Sequence, residues 1–190
     1  MQNIAAQKIF LRKKILETRK NFDEGRHFES NELIYQNVSK LIKSLTTDKS
    51  NYCIGLYYPL QAEPNLLKLL FLIDQNFALP IISGDEIEFV KYSPGDSLER
   101  TNFQGLYQPH KKVLVIPDII IIPGLSFDIR GYRLGFGKGH HDKYFEKVKS
   151  IKVPISIGVC FHDYLTDNLP FNEDDHKLEF IVTDKTLVRL

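Results

Sequence analysis

The sequence predicts an α/β fold of three layers, an α/β/α arrangement in which helices cover both faces of a mostly parallel, Rossmann-like sheet. Two observations lead to this prediction. Segments with helical periodicity alternate with short apolar segments along most of the chain. The apolar segments at 52–58 and 119–122 have the composition of buried strands. The chain has 190 residues, which is long enough for a substantial core, and we expect a single domain over 1–190.

Two helices are predicted at the start of the chain. Residues 4–20 carry apolar and cationic side chains on different faces, at spacings near multiples of 3.6. The apolar face consists of Ile4, Leu11 and Ile15, and the cationic face of Lys8, Arg12 and Arg19. Residues 29–45 repeat the helical spacing, with an apolar stripe of Ile34, Val38, Leu41 and Leu45. A polar loop over 46–51 then leads to the first strand.

The middle of the chain predicts strands, a short helix and a long loop. The first strand, 52–58, ends at Pro59, and Pro64 fits the first turn of a helix that runs to about residue 73. Further strands are predicted at 78–82 and 88–92, the second as an exposed edge. Residues 93–112 are predicted to be a loop, and a long connection in a compact domain is often functional.

The last third of the chain continues the alternation of strands and helices. The predicted elements are a strand at 119–122, a helix at 141–148 and strands at 155–159 and 180–183. In such sheets, ligands bind beyond the carboxyl ends of the strands. The loops that follow Tyr58, Ile122 and Val159 are therefore expected to meet at one edge of the sheet.

Composition and charge argue against several classes of protein. The net charge of +1 gives no overall attraction to nucleic acid or membranes, so an electrostatic function has to be local. The longest apolar runs are far shorter than the roughly 20 residues of a membrane span, and the N-terminus lacks the apolar segment of a signal peptide. Cys53 and Cys160 are expected to be core residues of a reduced compartment. We expect a cytoplasmic monomer without a nucleic-acid or membrane partner.

A glycine-rich loop carries the strongest chemical signal. After the strand at 119–122 and Pro123-Gly124, the chain has a loop rich in glycine and cations, followed by a predicted helix. Glycine lets backbone N–H groups approach an anion closely, and a helix N-terminus adds partial positive charge. The cations of this region are Arg130, Arg133 and Lys138. The loop is therefore predicted to bind a polyphosphate.

Other interpretations of these basic residues remain open at this point. The Gly-x-Gly-Lys-Gly order at 135–139 lacks the four-residue gap and the Lys-Ser/Thr ending of a P-loop. Without a ligand, the loop would be a flexible turn with solvated cations. The face formed by Lys8 and Arg12 would be a solvated surface, an anion-binding face or an RNA-binding face.

Carboxylates near the loop suggest a metal bound together with phosphate. Asp128 and Asp142 lie on either side of the glycines, and the acidic loop at 172–176 offers a second group. Mg²⁺ favours carboxylate and phosphate oxygens as ligands. Simpler roles are that Asp142 complements the helix dipole and that the acidic loop is solvated. His140 and His141 lack a third His or Cys at the spacing of a zinc site.

With these residues assembled, the chain resembles the 5-formyltetrahydrofolate cyclo-ligase family, also called methenyltetrahydrofolate synthetase, over nearly its whole length. Residues 118–128 follow the family's Asp-x-x-x-x-Pro-Gly-x-x-Phe-Asp pattern. Residues 133–142 are similar to its Arg-Leu-Gly-x-Gly-x-Gly-Tyr-Tyr-Asp signature. Lys8 and Arg12 match a Lys-x-x-x-Arg pattern on the first helix, and Leu79-Pro80 matches a strand end.

The resemblance implies a reaction of 5-formyltetrahydrofolate with ATP that gives 5,10-methenyltetrahydrofolate, ADP and phosphate. It implies that the formyl oxygen attacks the γ-phosphate, that N10 closes on the formyl carbon of this phosphorylated imidate, and that phosphate then leaves. The residues implied to bind ATP are Lys8, Arg12, Arg133, Leu134, Gly135, Phe136, Gly137, Lys138, Gly139, His140 and His141, with Arg133 and Lys138 in catalytic roles. Those implied to contact folate are Tyr58, Glu63 and His140, and those implied to hold Mg²⁺ are Asp142 and Asp175.

Some positions depart from the family pattern. His140-His141 stand where the signature has Tyr-Tyr, Gln108 stands where the family has Glu, and the segment at 161–163 lacks a Gln. Histidine in the signature would add pH dependence if it became protonated near neutral pH. Two other functions are compatible with the same residues. One is a sugar-phosphate isomerase or acyl-transferase that needs no ATP, and the other is a noncatalytic nucleotide- or RNA-binding module.

Overall fold

The structure is a computed structural model that describes residues 3–23, 25, 27–47, 51–60, 62–101, 106–110 and 113–190. Its α-helices within these residues are α1 (Ile4–Arg19), α2 (Phe28–Leu45), α3 (Leu69–Leu72) and α4 (His140–Val148), and His162–Tyr164 form a 3₁₀ turn. The strands are β1 (Cys53–Gly55), β2 (Asn76–Ser83), β3 (Glu86–Tyr92), β4 (Leu98–Arg100), β5 (Tyr107–Pro109), β6 (Ile119–Pro123), β7 (Ser126–Asp128), β8 (Arg133–Leu134), β9 (Ile155–Val159), β10 (Leu165–Thr166), β11 (Phe180–Val182) and β12 (Leu187–Arg189).

Within the described part of the chain, seven strands form a central sheet in the order β12-β11-β9-β6-β1-β2-β3. The five inner strands pair in parallel, with Ile54 opposite both Phe77 and Ile119. The two outermost strands, β12 and β3, run antiparallel to their neighbours. The segment predicted as an exposed edge strand at 88–92 lies in β3, at one edge of this sheet.

Side chains from the central strands point alternately into two hydrophobic cores, because successive residues of a strand face opposite sides of the sheet. Ile119 and Ile121 pack in a core that contains the apolar stripe of α2. Ile120 and Ile122 pack in a second core with buried side chains of α4. Helices therefore cover both faces of a mostly parallel sheet, and the predicted three-layer α/β/α fold is confirmed.

The first helix buries two members of its predicted cationic face. The side chains of α1 that are buried are Lys8 and Arg19, whereas Ile4 is exposed. The reason lies in the surroundings of α1. Lys8 pairs with Asp175, and Arg19 donates to the carbonyl of Gly124, so the polar partners of these cations lie inside the protein.

Two predicted segments differ from the structure between β1 and β6. The short helix expected from Pro64 is confined to α3, because the chain before it turns at Glu63, whose N–H donates to the Leu60 carbonyl. The predicted loop over 93–112 contains β4 and β5, which pair as a hairpin through local backbone hydrogen bonds. Residues 48–50 of the predicted polar loop, and 102–105 and 111–112 of the long loop, lie outside the described residues.

The chain between β6 and α4 is more ordered than the single long loop that we expected. Strands β7 and β8 pair there, and β10 joins them in a small three-stranded sheet. The turn between β7 and β8 is held by Asp128, a fully buried residue whose carboxylate accepts from the backbone N–H groups of Arg130, Tyr132 and Leu169. No helix within the described residues combines the length and apolar character needed to cross a bilayer.

Candidate active site

A cavity of about 380 Å³ lies where the chain leaves the carboxyl ends of β1 and β6. It gathers every residue that the family resemblance implies for a functional site. These are Lys8, Arg12, Tyr58, Glu63, Arg133, Leu134, Gly135, Phe136, Gly137, Lys138, Gly139, His140, His141, Asp142 and Asp175. The position agrees with the rule that ligands of a parallel sheet bind beyond its carboxyl edge.

The glycine loop forms one wall of the cavity between β8 and α4. Gly137 and Gly139 have φ angles of 103° and 66°, in the left-handed region that glycine adopts without strain. Gly139 is the N-cap of α4, so the first N–H groups of that helix border the cavity at its positive end. This arrangement suits an anion in the cavity.

Arg12 of α1 lies against the glycine loop. Its Nε donates to the Gly135 carbonyl at 2.9 Å. A Cβ added to Gly137 would lie 3.2 Å from Arg12 Cζ, so any larger residue at this position would crowd the guanidinium. The contact explains why a helix near the N-terminus and a loop more than a hundred residues later contribute cations to one cavity.

Two ion pairs join the predicted phosphate-binding cations to the predicted metal-binding carboxylates. Lys8 Nζ donates to Asp175 at 2.5 Å, and Arg133 Nη2 donates to Asp142 at 2.7 Å. The Arg133 side chain is 7% exposed, and its buried Nε has no hydrogen-bond partner within the described residues. A buried guanidinium N–H without a partner is costly, which indicates that Arg133 can accommodate a further acceptor.

The chemistry of the two carboxylates suits Mg²⁺ when other oxygen ligands complete the site. The described residues contain no group of three His, Cys, Asp or Glu side chains that could hold a metal alone. Asp142 and Asp175 nevertheless line the same cavity as the glycine loop. Because Mg²⁺ is commonly bound by one or two carboxylates together with substrate phosphates and water, this pair fits a phosphate-dependent site.

Asp128 and Arg130 do not belong to this cavity, contrary to the initial expectation for both. The Arg130 guanidinium pairs with the buried Asp128 carboxylate at 2.6 Å and donates to the Leu169 carbonyl. Asp128 also accepts from backbone N–H groups, so its oxygens are committed to the turn between β7 and β8. These two residues stabilise the fold beside the site.

His176 is a supporting residue that the sequence placed only within an acidic loop. Its backbone N–H donates to Asp142 at 3.1 Å, and its ring stacks on Phe145 at 3.7 Å between centroids. The ring nitrogen Nε2 lies 3.1 Å from Ser156 Oγ, which is hydrogen-bonded to Glu179. His176 thereby orients the carboxylate of Asp142. No sequence pattern links these residues, which come from α4, from β9 and from the segment before β11.

Glu63 lines the cavity and is almost fully buried. Ala62, with a φ of 61°, turns the chain so that the Glu63 carboxylate accepts from the Leu60 N–H at 2.9 Å. Burial raises the pKa of Glu63 to about 7, although the Leu60 N–H and the charge of Arg19 act against this rise. Near neutral pH this carboxyl group is therefore balanced between its two protonation states.

The signature histidines are shifted towards the neutral form. Burial lowers the pKa of His140, and it lowers the pKa of His141 well below the ordinary value, with Arg133 and His140 adding to the effect on His141. Protonation of either histidine near neutral pH, which the sequence left open, is therefore disfavoured. A neutral imidazole can still donate one hydrogen bond and accept another.

An apolar part of the cavity was not predicted from the sequence. Its side chains include Tyr57, Ile82, Ile87 and Leu106. Tyr57 follows β1, Ile82 and Ile87 belong to the β2–β3 hairpin, and Leu106 directly precedes β5. In the sequence, each of them has the pattern of an ordinary core or strand residue. Only Pro80, in the Leu79-Pro80 match, carried a signal for this wall.

The fold and the cavity together define a class of α/β proteins with a small-molecule site at the carboxyl edge of a parallel sheet. The lining of this site combines a cationic glycine loop with apolar side chains and a buried carboxylate. The sequence model of the 5-formyltetrahydrofolate cyclo-ligase family matches residues 4–184. The chain belongs to this family of enzymes.

Individual relatives agree with this assignment. The 5-formyltetrahydrofolate cyclo-ligase of Mycoplasma pneumoniae is 30% identical over 182 residues, which cover 92% of this chain and 97% of that protein. The cyclo-ligase of Saccharomyces cerevisiae is 32% identical, but the match covers only 42% of each chain. The NMR structure of 5,10-methenyltetrahydrofolate synthetase from Aquifex aeolicus superimposes with a TM-score of 0.77 at 30% identity, covering 96% of this chain and 92% of that one.

Proposed function

We propose that this protein catalyses the ATP- and Mg²⁺-dependent cyclisation of 5-formyltetrahydrofolate to 5,10-methenyltetrahydrofolate, with release of ADP and phosphate. Membership of the cyclo-ligase family supports the reaction. The observation that carries the proposal for this chain is that one cavity contains both a cationic glycine loop and a buried carboxylate with apolar neighbours. A triphosphate needs the first part, and a pterin ring with N–H donors needs the second.

The proposed chemistry starts from a formyl group whose oxygen is a poor leaving group. Attack of that oxygen on the γ-phosphate gives a phosphorylated imidate and ADP, N10 then closes on the formyl carbon, and phosphate leaves. Phosphoryl transfer needs positioning and charge neutralisation more than a protein nucleophile. The chain's own contribution is therefore to hold two substrates in contact and to balance charge on the transferred group.

The cations are assigned to the phosphates. Lys8, Arg12, Arg133 and Lys138 would contact the triphosphate, together with backbone N–H groups of 135–139. Arg133 already has an N–H without a partner within the described residues, and Lys138 is exposed at the cavity. Asp142 and Asp175 would hold Mg²⁺, which would neutralise phosphate charge.

The folate is assigned to the remaining wall. Tyr58, Glu63 and His140 would face the pterin, with Glu63 accepting hydrogen bonds from its amino and ring N–H groups. Tyr57 and Leu106 add apolar surface against which a flat ring can pack. With these neighbours, the formyl group would lie between Glu63 and the glycine loop.

The contacts of α1 bear on the alternative of an RNA-binding module. Lys8 is 8% exposed and paired with Asp175, and Arg12 is bonded to the glycine loop. A face that binds a polynucleotide backbone needs cations open to solvent. These two cations line the cavity and are bonded to other cavity residues instead, which favours a small ligand.

One assay separates the proposed reaction from its rivals. Absorbance of 5,10-methenyltetrahydrofolate is followed with purified protein, 5-formyltetrahydrofolate, ATP and Mg²⁺, and then with each component omitted. We expect product only when all components are present, with one ADP formed per product. Product without ATP would favour an isomerase-like or transferase-like reaction. No product under any condition, with the protein folded, would contradict the proposal.

A further inference from the structure

Arg19 is a buried cation that the proposed reaction does not use. It lies in the last turn of α1 and is 5% exposed. Its Nη2 donates to the carbonyls of Gly124 and Leu125 at 2.7 and 3.0 Å, and its Cζ lies 4.5 Å from the ring centroid of Tyr164. Arginine is seldom buried to this extent without a specific partner, so the position calls for a reason.

Arg19 lies directly behind the wall of the cavity. Gly124, whose carbonyl accepts from Arg19, lines the cavity together with Glu63, whereas Arg19 does not reach the cavity surface. The Nε and Nη1 groups of Arg19 are buried, and no hydrogen-bond acceptor among the described residues pairs with them. A buried guanidinium with unpaired N–H groups is costly unless a negative charge lies nearby.

Glu63 is the group that can supply this charge. Burial lowers the pKa of Arg19, and the nearby Glu63 carboxylate acts against that change. The other titratable groups facing Arg19 are Tyr164 and Cys160, and burial raises the pKa of both. Tyr57 faces Glu63, and its pKa is raised well above the ordinary value. These neighbours are neutral at neutral pH, so Glu63 is the partner whose charge changes there.

We propose that Arg19 is a positioning residue for folate binding, which acts from behind the cavity wall by holding Gly124 in place and keeping the Glu63 carboxylate ionised. The proposal rests on the proposed function, in which Glu63 accepts hydrogen bonds from the pterin. An ionised carboxylate accepts two such bonds, whereas a protonated one presents an O–H to the same donors. Loss of the Arg19 charge should therefore weaken folate binding without any contact between Arg19 and folate.

A purely structural role for Arg19 makes a different prediction. If Arg19 only fastened α1 to the turn between β6 and β7, its removal would disturb both substrates and would do so equally at every pH. If it acts through Glu63, its removal should weaken folate binding selectively. That loss should be recovered at high pH, where Glu63 ionises without help.

The test is the affinity of the full chain for 5-formyltetrahydrofolate, measured between pH 5.5 and 9 by equilibrium dialysis, with ATP affinity measured in parallel. Arg19→Gln keeps a hydrogen-bond donor but removes the charge, and Arg19→Lys keeps a more compact charge. Glu63→Gln and the double variant complete a mutant cycle. Arg130→Gln is the matched control, because it removes another arginine from a buried pair without approaching Glu63.

In the unsubstituted protein, folate affinity should rise as pH increases through about 7, where Glu63 ionises. Arg19→Gln should move this midpoint upward by about one pH unit, which weakens binding at pH 7 by about fivefold. The affinity should approach that of the unsubstituted protein near pH 9, and ATP affinity should not change. Arg19→Lys should move the midpoint in the same direction by less, and Arg130→Gln should leave it unchanged. On the Glu63→Gln background, loss of Arg19 should cost nothing further.

An unchanged midpoint in Arg19→Gln, or an equal loss with and without Glu63, would overturn the inference. If Arg19→Gln does not fold, Arg19→Met, which also removes the charge, decides in the same way, since an unchanged midpoint there also overturns it. Failure of the unsubstituted protein to bind 5-formyltetrahydrofolate at any pH would instead contradict the proposed function, so the two failures can be told apart.

Discussion

Lys8 and Asp175 form an ion pair across 2.5 Å although 167 positions separate them in the sequence. A second pair, between Arg133 and Asp142, lies in the same cavity. In each pair, a cation assigned to phosphate binding is joined to a carboxylate assigned to Mg²⁺. The pairs keep both the cations and the carboxylates charge-compensated. When metal and triphosphate bind, the carboxylates would contact the metal and the cations would contact the phosphates.

Replacing Lys8 by Met should weaken ATP binding selectively. The ammonium is nearly buried at the cavity, so its loss removes a charge-assisted contact worth about 1.5–3 kcal/mol and leaves Asp175 without its cation. We expect an increase of about 10- to 100-fold in the KM for ATP and a small change in that for folate. Steady-state kinetics with each substrate varied would measure this. Lys13→Met, an exposed position on the same helix, is the control. Equal effects of both substitutions would contradict the phosphate role of Lys8.

Alanine at Arg133 or Lys138 should lower turnover. If either group stabilises charge on the transferred phosphoryl group as an oxyanion donor does, its loss raises the barrier by about 2–4 kcal/mol. The kcat should then fall by about one and a half to three orders of magnitude. Lys143→Ala, which removes an exposed cation from α4, should leave kcat near its original value. Unchanged kcat in both cavity variants would refute their catalytic assignment.

Substituting Gly137 by Ala should impair ATP binding through Arg12. The new Cβ would lie 3.2 Å from Arg12 Cζ, and a φ of 103° is strained for alanine. Gly95→Ala is a matched control, since Gly95 has a φ of 97° but nothing within 4 Å of the added Cβ. Both variants should lose a similar, small amount of stability. Only Gly137→Ala should raise the KM for ATP, and a similar increase in Gly95→Ala would argue against the contact.

Glu63→Gln should affect folate far more than ATP. Gln keeps the shape and one acceptor of the side chain but offers an N–H to a donor of the pterin, which removes a charge-assisted hydrogen bond. We expect the KM for 5-formyltetrahydrofolate to rise by at least about tenfold while the KM for ATP stays within about twofold. An equal rise in both constants would count against the assignment of Glu63 to the pterin.

The same substitution should stabilise the fold at alkaline pH. Because the pKa of Glu63 is raised from 4.5 to about 7, the native state binds more protons than the unfolded state between these values. Stability from this group is therefore complete below about pH 4.5 and is lost as the pH rises through 7. Glu63→Gln lacks this loss and should be more stable at pH 8, by up to about 3 kcal/mol.

Urea denaturation of both proteins at pH 5 and pH 8 would measure this difference. Glu146→Gln, at an exposed position of α4, should show no such pH-dependent gain. A Glu63→Gln protein that is less stable than the original at pH 8 would show that burial of Glu63 carries no such cost.

The sequence was informative wherever a signal is local or periodic. The strands around 119–122 and 155–159 and the helix before Val148 follow from apolar composition and helical spacing, and the structure has them within a residue or two. The glycine loop was recognisable because closely spaced glycines and cations carry chemical meaning in any fold. The hairpin of β4 and β5 was missed because strands of three residues leave too short a pattern to detect.

The sequence by itself determined a doubly covered parallel sheet, the family, and the glycine loop with most of the charged side chains that line one cavity. Only the tertiary structure decided which charges are buried and what faces them. Arg19 looked like one more cation on an amphipathic helix, and its burial near Glu63 depends on how α1 packs against the turn after β6. The physical reason is that burial and electrostatic coupling depend on distances in space, which positions along the chain do not specify.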